Sequence, residues 1–373
     1  MSRQILITGG AGFVGSHLAD GLLQAGNAVR ILDNLTPQVH GGGVPDYLSR
    51  DVELLRGDIR DADAVRSALK GVDVVYHFAA AVGVGQSMYE ISRYMSINTQ
   101  GTSELLQAML DLRLTPEKLV VASSMSIYGE GSYTCMQCGA SVSPPVRSNE
   151  QLRSGKWNMP CIYCNGMLVP VPTRETKPGG TNSIYAISKR DQEELCLIYG
   201  RTYGIPVTAL RFFNIYGPRQ ALSNPYTGVA AIFASRLMNG QPPMVFEDGQ
   251  QMRDFVSVYD IVRANMLAME RRESDGEVIN VGCGTPITIL RVAEILARAL
   301  GKELKPVVTQ KYRAGDIRHC YADLTKARML LGYEAQVMHE EGFKELAEWL
   351  AEQEAEDKAE TMLNELSAYG LTA

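Results

Sequence analysis

The sequence predicts an α/β fold: a doubly wound parallel sheet followed by a smaller α/β domain, with a cysteine-bearing insertion in the first part. Three observations carry this reading. From Gln4 to about Leu210, short runs rich in Val, Ile and Leu alternate with stretches of helical periodicity, the pattern of a parallel sheet wrapped by helices. The first run leads straight into a turn crowded with glycine. Beyond Arg211 the alternation weakens, and helical stretches are separated by loops containing Pro and Gly.

Strands are predicted over residues 5–8, 28–32, 52–56, 74–78, 118–122 and 206–210, apolar toward both faces as a sheet covered on both sides requires. Helical periodicity fills 12–25, 61–69, 91–112 and 181–203. In the second half 228–239, 289–300 and 325–331 read as helices, and 338–366, dense in Glu, Lys and Ala, reads as one or two amphipathic surface helices. Residues 1–210 therefore form a first domain, interrupted at 133–172. Residues 211–373 form a second, which can return a strand to the first sheet. The sequence shows no internal repeat and no low-complexity tract.

A chain of 373 residues with 45% hydrophobic and 21% charged positions is neither disordered, collagenous nor membrane-embedded. Its 36 Lys+Arg against 42 Asp+Glu give a net charge of −6, so no global positive field exists to hold a nucleic acid. Any anionic ligand must be met by a local site. The chain opens on a strand pattern without the apolar stretch and cleavage site of a signal peptide, and no apolar run approaches the ~20 residues that a membrane span needs. A cytoplasmic protein without nucleic-acid or membrane partners is expected, its seven cysteines being thiols or metal ligands before disulfides.

The glycine turn is Thr8-Gly9-Gly10-Ala11-Gly12-Phe13-Val14-Gly15. Missing Cβ atoms at Gly9, Gly12 and Gly15 permit a tight turn and let backbone N–H groups approach a pyrophosphate, while the helix opened by Phe13 and Val14 aims its positive end at the anion. This is the fingerprint of a Rossmann dinucleotide site. Asp33, 18 residues after Gly15 and followed by Asn34, can accept hydrogen bonds from both adenosine ribose hydroxyls. A 2′-phosphate would meet like charge there, so NAD is favoured over NADP. Asp58-Ile59, closing the third strand, borders the adenine, unless Asp58 simply caps the next helix.

Tyr185 and Lys189 stand four residues apart on a predicted helix, hence on one face. A phenol of pKa about 10 is a poor base at neutral pH, but a nearby ammonium favours the phenolate, about 1.4 kcal/mol being enough for a tenfold change in that equilibrium. Such a pair also occurs by chance on helix surfaces. Its weight comes from company: the glycine turn, and the strand end Val120-Val121-Ala122-Ser123-Ser124.

The glycine turn, Ser124, Tyr185, Lys189 and the later Arg211-Phe212-Phe213-Asn214-Ile215-Tyr216-Gly217-Pro218 together resemble the extended short-chain dehydrogenase/reductases that act on nucleotide sugars. The likeness covers nearly the whole chain outside the cysteine block. It implies a homodimer, and a cleft between an NAD-binding domain and a domain holding a nucleoside-diphosphate sugar. On that pattern Ser124 holds the reacting sugar oxygen, Tyr185 transfers the proton, and Lys189 binds the nicotinamide ribose. Phe78, Ala79, Ala80 and Asn98 line the cofactor. Arg253, Arg313 and Asn214 meet the diphosphate, Asp316 the nucleoside ribose, and Ser126 and Asn280 complete the substrate set. Dehydratases of the family carry an Asp-Glu pair where this chain has Met125 and Ser126, so water elimination is not expected. What remains is 4-epimerisation through a transient 4-keto sugar, with NAD regenerated. The segment 218–228 and the cysteine block are most similar to bacterial dTDP-L-rhamnose 4-epimerases. UDP-glucose- and UDP-glucuronate-type 4-epimerases share most of these residues, and a 4-keto-sugar reductase would use the same Ser/Tyr/Lys set. A protein that only senses NAD would have no use for a tuned phenol.

Cys135-Met136-Gln137-Cys138 and Cys161-Ile162-Tyr163-Cys164 are two Cys-x-x-Cys knuckles separated by 22 residues. Two knuckles can complete a closed S₄ site suited to structural zinc, a zinc-ribbon-like arrangement, with disulfides or redox pairs as the other readings. The block leaves and rejoins the chain between Ser124 and Tyr185, so it is either a flap at the site's mouth or a decoration on a neighbouring subunit. Cys196, Cys283 and Cys320 are isolated and read as inert thiols.

Overall fold

The structure is a computed structural model that describes residues 2–224, 226–313 and 315–372. A parallel sheet of seven strands is built from β1 (Gln4–Thr8), β2 (Ala28–Asp33), β3 (Glu53–Arg56), β4 (Val74–His77), β5 (Lys118–Ser124), β6 (Val207–Phe212) and β7 (Glu277–Val281), in the spatial order β7-β6-β5-β4-β1-β2-β3. Chain order reverses between β1 and β4. A crevice therefore opens at their carboxyl ends, where doubly wound folds bind ligands. Alternation along β1 shows why the strands are apolar on both faces. Ile5 and Ile7 pack with Leu18, Leu22, Ile261 and Ala264 on one side, while Leu6 packs with Val65, Leu105 and Met109 on the other.

The six strands read from the sequence lie within two residues of those observed. The predicted helix over 91–112 is less regular: α-helical at Ile91–Tyr94, π-helical at Met95–Gln100, and α-helical again at Gly101–Asp111. Two local demands account for the wide turn. Asn98 is turned inward, accepting from the Ala81 N–H at 2.7 Å and donating to the Ala81 carbonyl at 3.1 Å. Gly101 lies so close to Ile59 that an added Cβ would meet its Cγ2 at 2.6 Å.

Past β6 the chain does not leave the first sheet for good. The strand β7, the helix Val258–Glu270 and the helix Thr325–Leu331 all pack onto it, burying Ile261, Ala264, Ile279, Val281, Ala327 and Leu331 in one core. A separate core gathers Phe233, Leu237, Phe255, Leu296 and Phe343 from the helices Val229–Met238, Ile289–Ala299 and His339–Leu350 and a small sheet. That sheet joins Asn214–Tyr216, Met252–Ser257, Pro286–Thr288 and His319–Cys320. The stretch 338–366 resolves into two helices, His339–Leu350 and Ala359–Ala368. Among the described residues no helix is long and apolar enough to cross a membrane.

The cysteine insertion forms a three-stranded antiparallel sheet, Ser141–Val142, Ser132–Cys135 and Leu168–Val171, over a core of only Tyr133, Cys135, Val142, Met159 and Cys161.

Candidate active site

One cavity of about 950 Å³ runs along the carboxyl end of the large sheet and touches the glycine turn, Asp33, Ser124, Tyr185, Lys189, Arg253 and Arg313. At one end Gly9 has φ +70° and would drive a Cβ to 2.8 Å from the Ala79 backbone, so the turn lies directly on the end of β4. A Cβ on Gly15 would meet the Gly10 Cα at 2.6 Å. Gly12 is different. Its Cβ would meet nothing nearer than the Gly9 carbonyl at 3.4 Å, which leaves room for a ligand at the turn. Phe13, Val14, Asn34, Ile59, Phe78, Ala79 and Ala80 also line this end.

Asp33 is buried and held by the backbone, accepting from the Ala11 N–H at 3.1 Å and the Leu35 N–H at 2.9 Å. His40 stands 3.8 Å from it, and burial pulls the imidazole pKa down, so the carboxylate charge is not neutralised from that side. Two residues expected at the cofactor lie off the cavity lining. Asp58 does not line the cavity; its carboxylate is taken by Arg60 at 2.8 and 2.8 Å and by Asn34 at 3.1 Å. Those bonds hold its pKa well below the usual carboxylate range, and Arg60 and Ile59 face the ligand space instead. Asn98 does not line it either: its amide brackets the Ala81 backbone and donates to Ser188 Oγ at 2.9 Å.

Ser124 ends β5, which places its hydroxyl at the crevice, where it accepts from the Ser126 hydroxyl at 2.9 Å and the Ser126 N–H at 3.2 Å. Tyr185 rides the first turn of the helix Ile184–Tyr203, fixed by the Ser183 cap, whose hydroxyl accepts from the Ala186 N–H at 3.1 Å. Its own N–H donates to Ser87 Oγ at 3.0 Å. Burial pushes the phenol up to about 12, with the adjoining Ser124 hydroxyl pulling the other way, and the same burial brings Lys189 down to about 8. The ammonium is not hydrogen-bonded to the phenol among the described residues. Lys189 donates instead to Gln192 Oε1 at 2.7 Å, whose amide reaches His77 Nε2 at 3.1 Å and Thr102 Oγ1 at 3.0 Å. Thr8 Oγ1 closes this buried chain at 2.8 Å from His77 Nδ1. Gln192 and His77 escaped the sequence reading. The signal for Gln192 was its place three residues beyond Lys189, on the same helix face.

At the other end Asp316 is shared, its Oδ1 3.2 Å from Arg253 Nη2 and its Oδ2 3.2 Å from Arg313 Nη2. Arg313 lies over the Phe246 ring at 4.8 Å, and its Nε is a buried donor without a partner among the described residues, as the Asn214 Oδ1 is an acceptor without one. Orphaned polar atoms on a cavity wall point to a polar ligand. Asn280, expected at the substrate, lies off the cavity lining as well. It is fully buried in β7, bonded to Tyr128 Oη at 2.7 Å and the Thr173 carbonyl at 2.8 Å, and does not reach the cavity.

In the insertion all four knuckle sulfurs lie within 4.8 Å of one another, with Cys135–Cys164 at 3.4 Å and Cys138–Cys161 at 3.8 Å. All are free thiols.

The NAD dependent epimerase/dehydratase family model matches residues 5–151 and 161–282, the interruption falling inside the cysteine insertion. A dTDP-L-rhamnose 4-epimerase of Burkholderia thailandensis is 34% identical over 354 residues, 94% of this chain and 96% of that protein. The UDP-glucose 4-epimerase of Thermotoga maritima, solved with UDP-glucose, superposes with a TM-score of 0.75 at 32% identity, covering 93% of this chain and 98% of that one. The UDP-glucuronic acid 4-epimerase of Bacillus cereus, solved with UDP-glucuronic acid and NAD, gives a TM-score of 0.74 at 27% identity, covering 93% and 99%. With the glycine turn, Ser124, Tyr185 and Lys189 gathered on one crevice and the family model matched over more than half its length, the chain belongs to the NAD dependent epimerase/dehydratase family, as an extended short-chain dehydrogenase/reductase.

Proposed function

We propose that the chain is an NAD-dependent nucleotide-sugar 4-epimerase. The observation that carries this is the continuous cavity, with a glycine cradle and a ribose carboxylate at one end, Ser124 and Tyr185 in the middle, and two arginines at the other. The residues fit NAD: the space over Gly12 admits a pyrophosphate, and Asp33 suits two ribose hydroxyls. When bound, NAD would supply the hydride acceptor for the sugar carbon. Tyr185 takes the proton of the sugar C4 hydroxyl and later returns it, Ser124 holds that oxygen, and Lys189 steadies the cofactor ribose. Met125 is an apolar, buried side chain and Ser126 a hydroxyl bonded to Ser124, so no acid–base pair for dehydration stands there.

The sugar nucleotide is a dTDP-deoxysugar such as dTDP-L-rhamnose, a reading supported by the Burkholderia relative. The solved UDP-sugar epimerases favour a UDP-glucose- or UDP-glucuronate-type substrate as the second reading. Incubation with dTDP-L-rhamnose, UDP-glucose and UDP-glucuronate, followed by NMR, should show a C4 epimer of one of them without net change in nicotinamide absorbance. Net consumption of NADH would establish a reductase instead. Gly15→Ala, which must push a Cβ into the Gly10 and Gly9 backbone, should yield folded protein that retains less than about a tenth of the wild-type NAD on purification.

The knuckles fit a structural zinc ion. A tetrahedron with Zn–S near 2.3 Å has S–S edges of roughly 3.8 Å, close to the observed spacings. Four thiolates leave no open position for water, so the ion would hold the insertion and take no part in the reaction.

A further inference from the structure

The mechanism leaves one buried charge cluster unused. Arg147, sent inward by the cysteine insertion, forks onto Glu247 at 2.9 and 2.8 Å, and each of the two side chains is 1% exposed. The same guanidinium donates to the Asp316 carbonyl at 3.0 Å and to the Trp157 carbonyl at 3.2 Å. Glu247 also accepts from Arg318 at 3.0 Å, and Arg318 forks onto Asp248 at 2.6 and 2.7 Å. Burying such ions costs several kcal/mol each, and apolar replacements are often as stable, so stability is a weak account of the cluster.

Its geometry offers a better one. Glu247 follows Phe246, the ring beneath Arg313, and Asp316 is the carboxylate that spaces Arg313 from Arg253. Arg147 therefore ties together the two loops on which the arginine pair depends. Glu247 has φ +53°, a left-handed backbone that a side chain adopts only where its surroundings impose it; here its N–H donates to the Lys311 carbonyl at 2.7 Å while the carboxylate is gripped from two sides. The insertion adds a second contact, packing Leu152 and Trp157 on Tyr312, the residue before Arg313.

We infer that Arg147 is a positioning residue for the phosphate end of the substrate site, and that the cysteine insertion acts as the clamp that sets the spacing of Arg253 and Arg313. The inference rests on the reading of the cavity as a nucleotide-sugar site. Arg147→Lys keeps a cation beside Glu247 but loses the fork and the reach to Asp316. The purified variant should hold NAD at wild-type occupancy and keep kcat within about twofold, while the calorimetric Kd for dTDP and for UDP, and KM for the sugar nucleotide, rise about tenfold or more. Glu247→Gln should weaken the same binding, and the double variant should be no worse than the poorer single, because both act through one unit. An unchanged nucleotide Kd in folded Arg147→Lys and Glu247→Gln, or an equal loss of NAD and nucleotide, would overturn the inference. A wild-type protein that binds neither dTDP nor UDP would overturn the reading of the cavity itself.

Discussion

Tyr185→Phe should cut epimerisation by roughly 10³-fold, within the 10²–10⁴ range for a positioned acid–base group, while the protein still purifies with NAD. The two results separate because the cofactor end is built from other residues: the glycine turn, Asp33 held by two N–H groups, and Lys189 anchored to Gln192. Removing one hydroxyl oxygen from a side chain whose ring edge meets Tyr94 at 6.4 Å leaves the wall intact. The pH dependence follows from the burial of the pair. With the ligand-free phenol up at about 12 and Lys189 down at about 8, the lysine loses its proton first as pH rises. Its folded pKa lies below its ordinary value, so between about 8 and 10.5 the unfolded chain binds more protons, and this group makes folding more favourable as pH rises through that window. NAD retained with product still formed by Tyr185→Phe, followed by NMR, would remove the phenol from the mechanism.

What the sequence disclosed and what it withheld divide along a physical line. The glycine turn, Asp33, Ser124, Tyr185 and Lys189 were legible because each is fixed by local chemistry: a turn without Cβ atoms, a strand end, two positions on one helix face. All of them reach the cavity. The expected site residues that do not line the cavity are those whose side chains other groups of the chain have claimed. Asp58 was claimed locally by Arg60, two residues on, and Asn280 by Tyr128 and Thr173, which stand on either side of the insertion. A strand returning to the first sheet was expected from the second half, but nothing local marked Glu277–Val281 as that strand, since 64 residues separate Phe212, the end of its neighbour β6, from Glu277. The charge cluster around Arg147 was illegible for the same reason: its partners lie 100 and 169 positions away.

Loss of the proposed zinc site should have the largest effect on folding of any change outside the main core, and that effect should stay local. The small core of Tyr133, Cys135, Val142, Met159 and Cys161 is too slight to hold the knuckles without a staple, whereas apparent free energies of structural zinc binding run to about 10–16 kcal/mol. Cys161→Ser removes one of the four clustered sulfurs and a residue of that small core. The wild-type protein should carry about one zinc per chain, and Cys161→Ser should carry much less. Amide hydrogen exchange across 132–171 should then accelerate by at least about 10²-fold, while β1, β4 and β5, buried in separate cores, stay within about threefold. A chelator should reproduce the effect on the wild type and a reductant should not, because no disulfide joins the sulfurs. If reductant loosens the insertion and chelator does not, the knuckles are disulfide pairs. Since the insertion grips Glu247 and Asp316 through Arg147, the same chelation should weaken dTDP and UDP binding before it releases NAD. That order distinguishes a clamp on the substrate end from an appendage that merely packs on a neighbour.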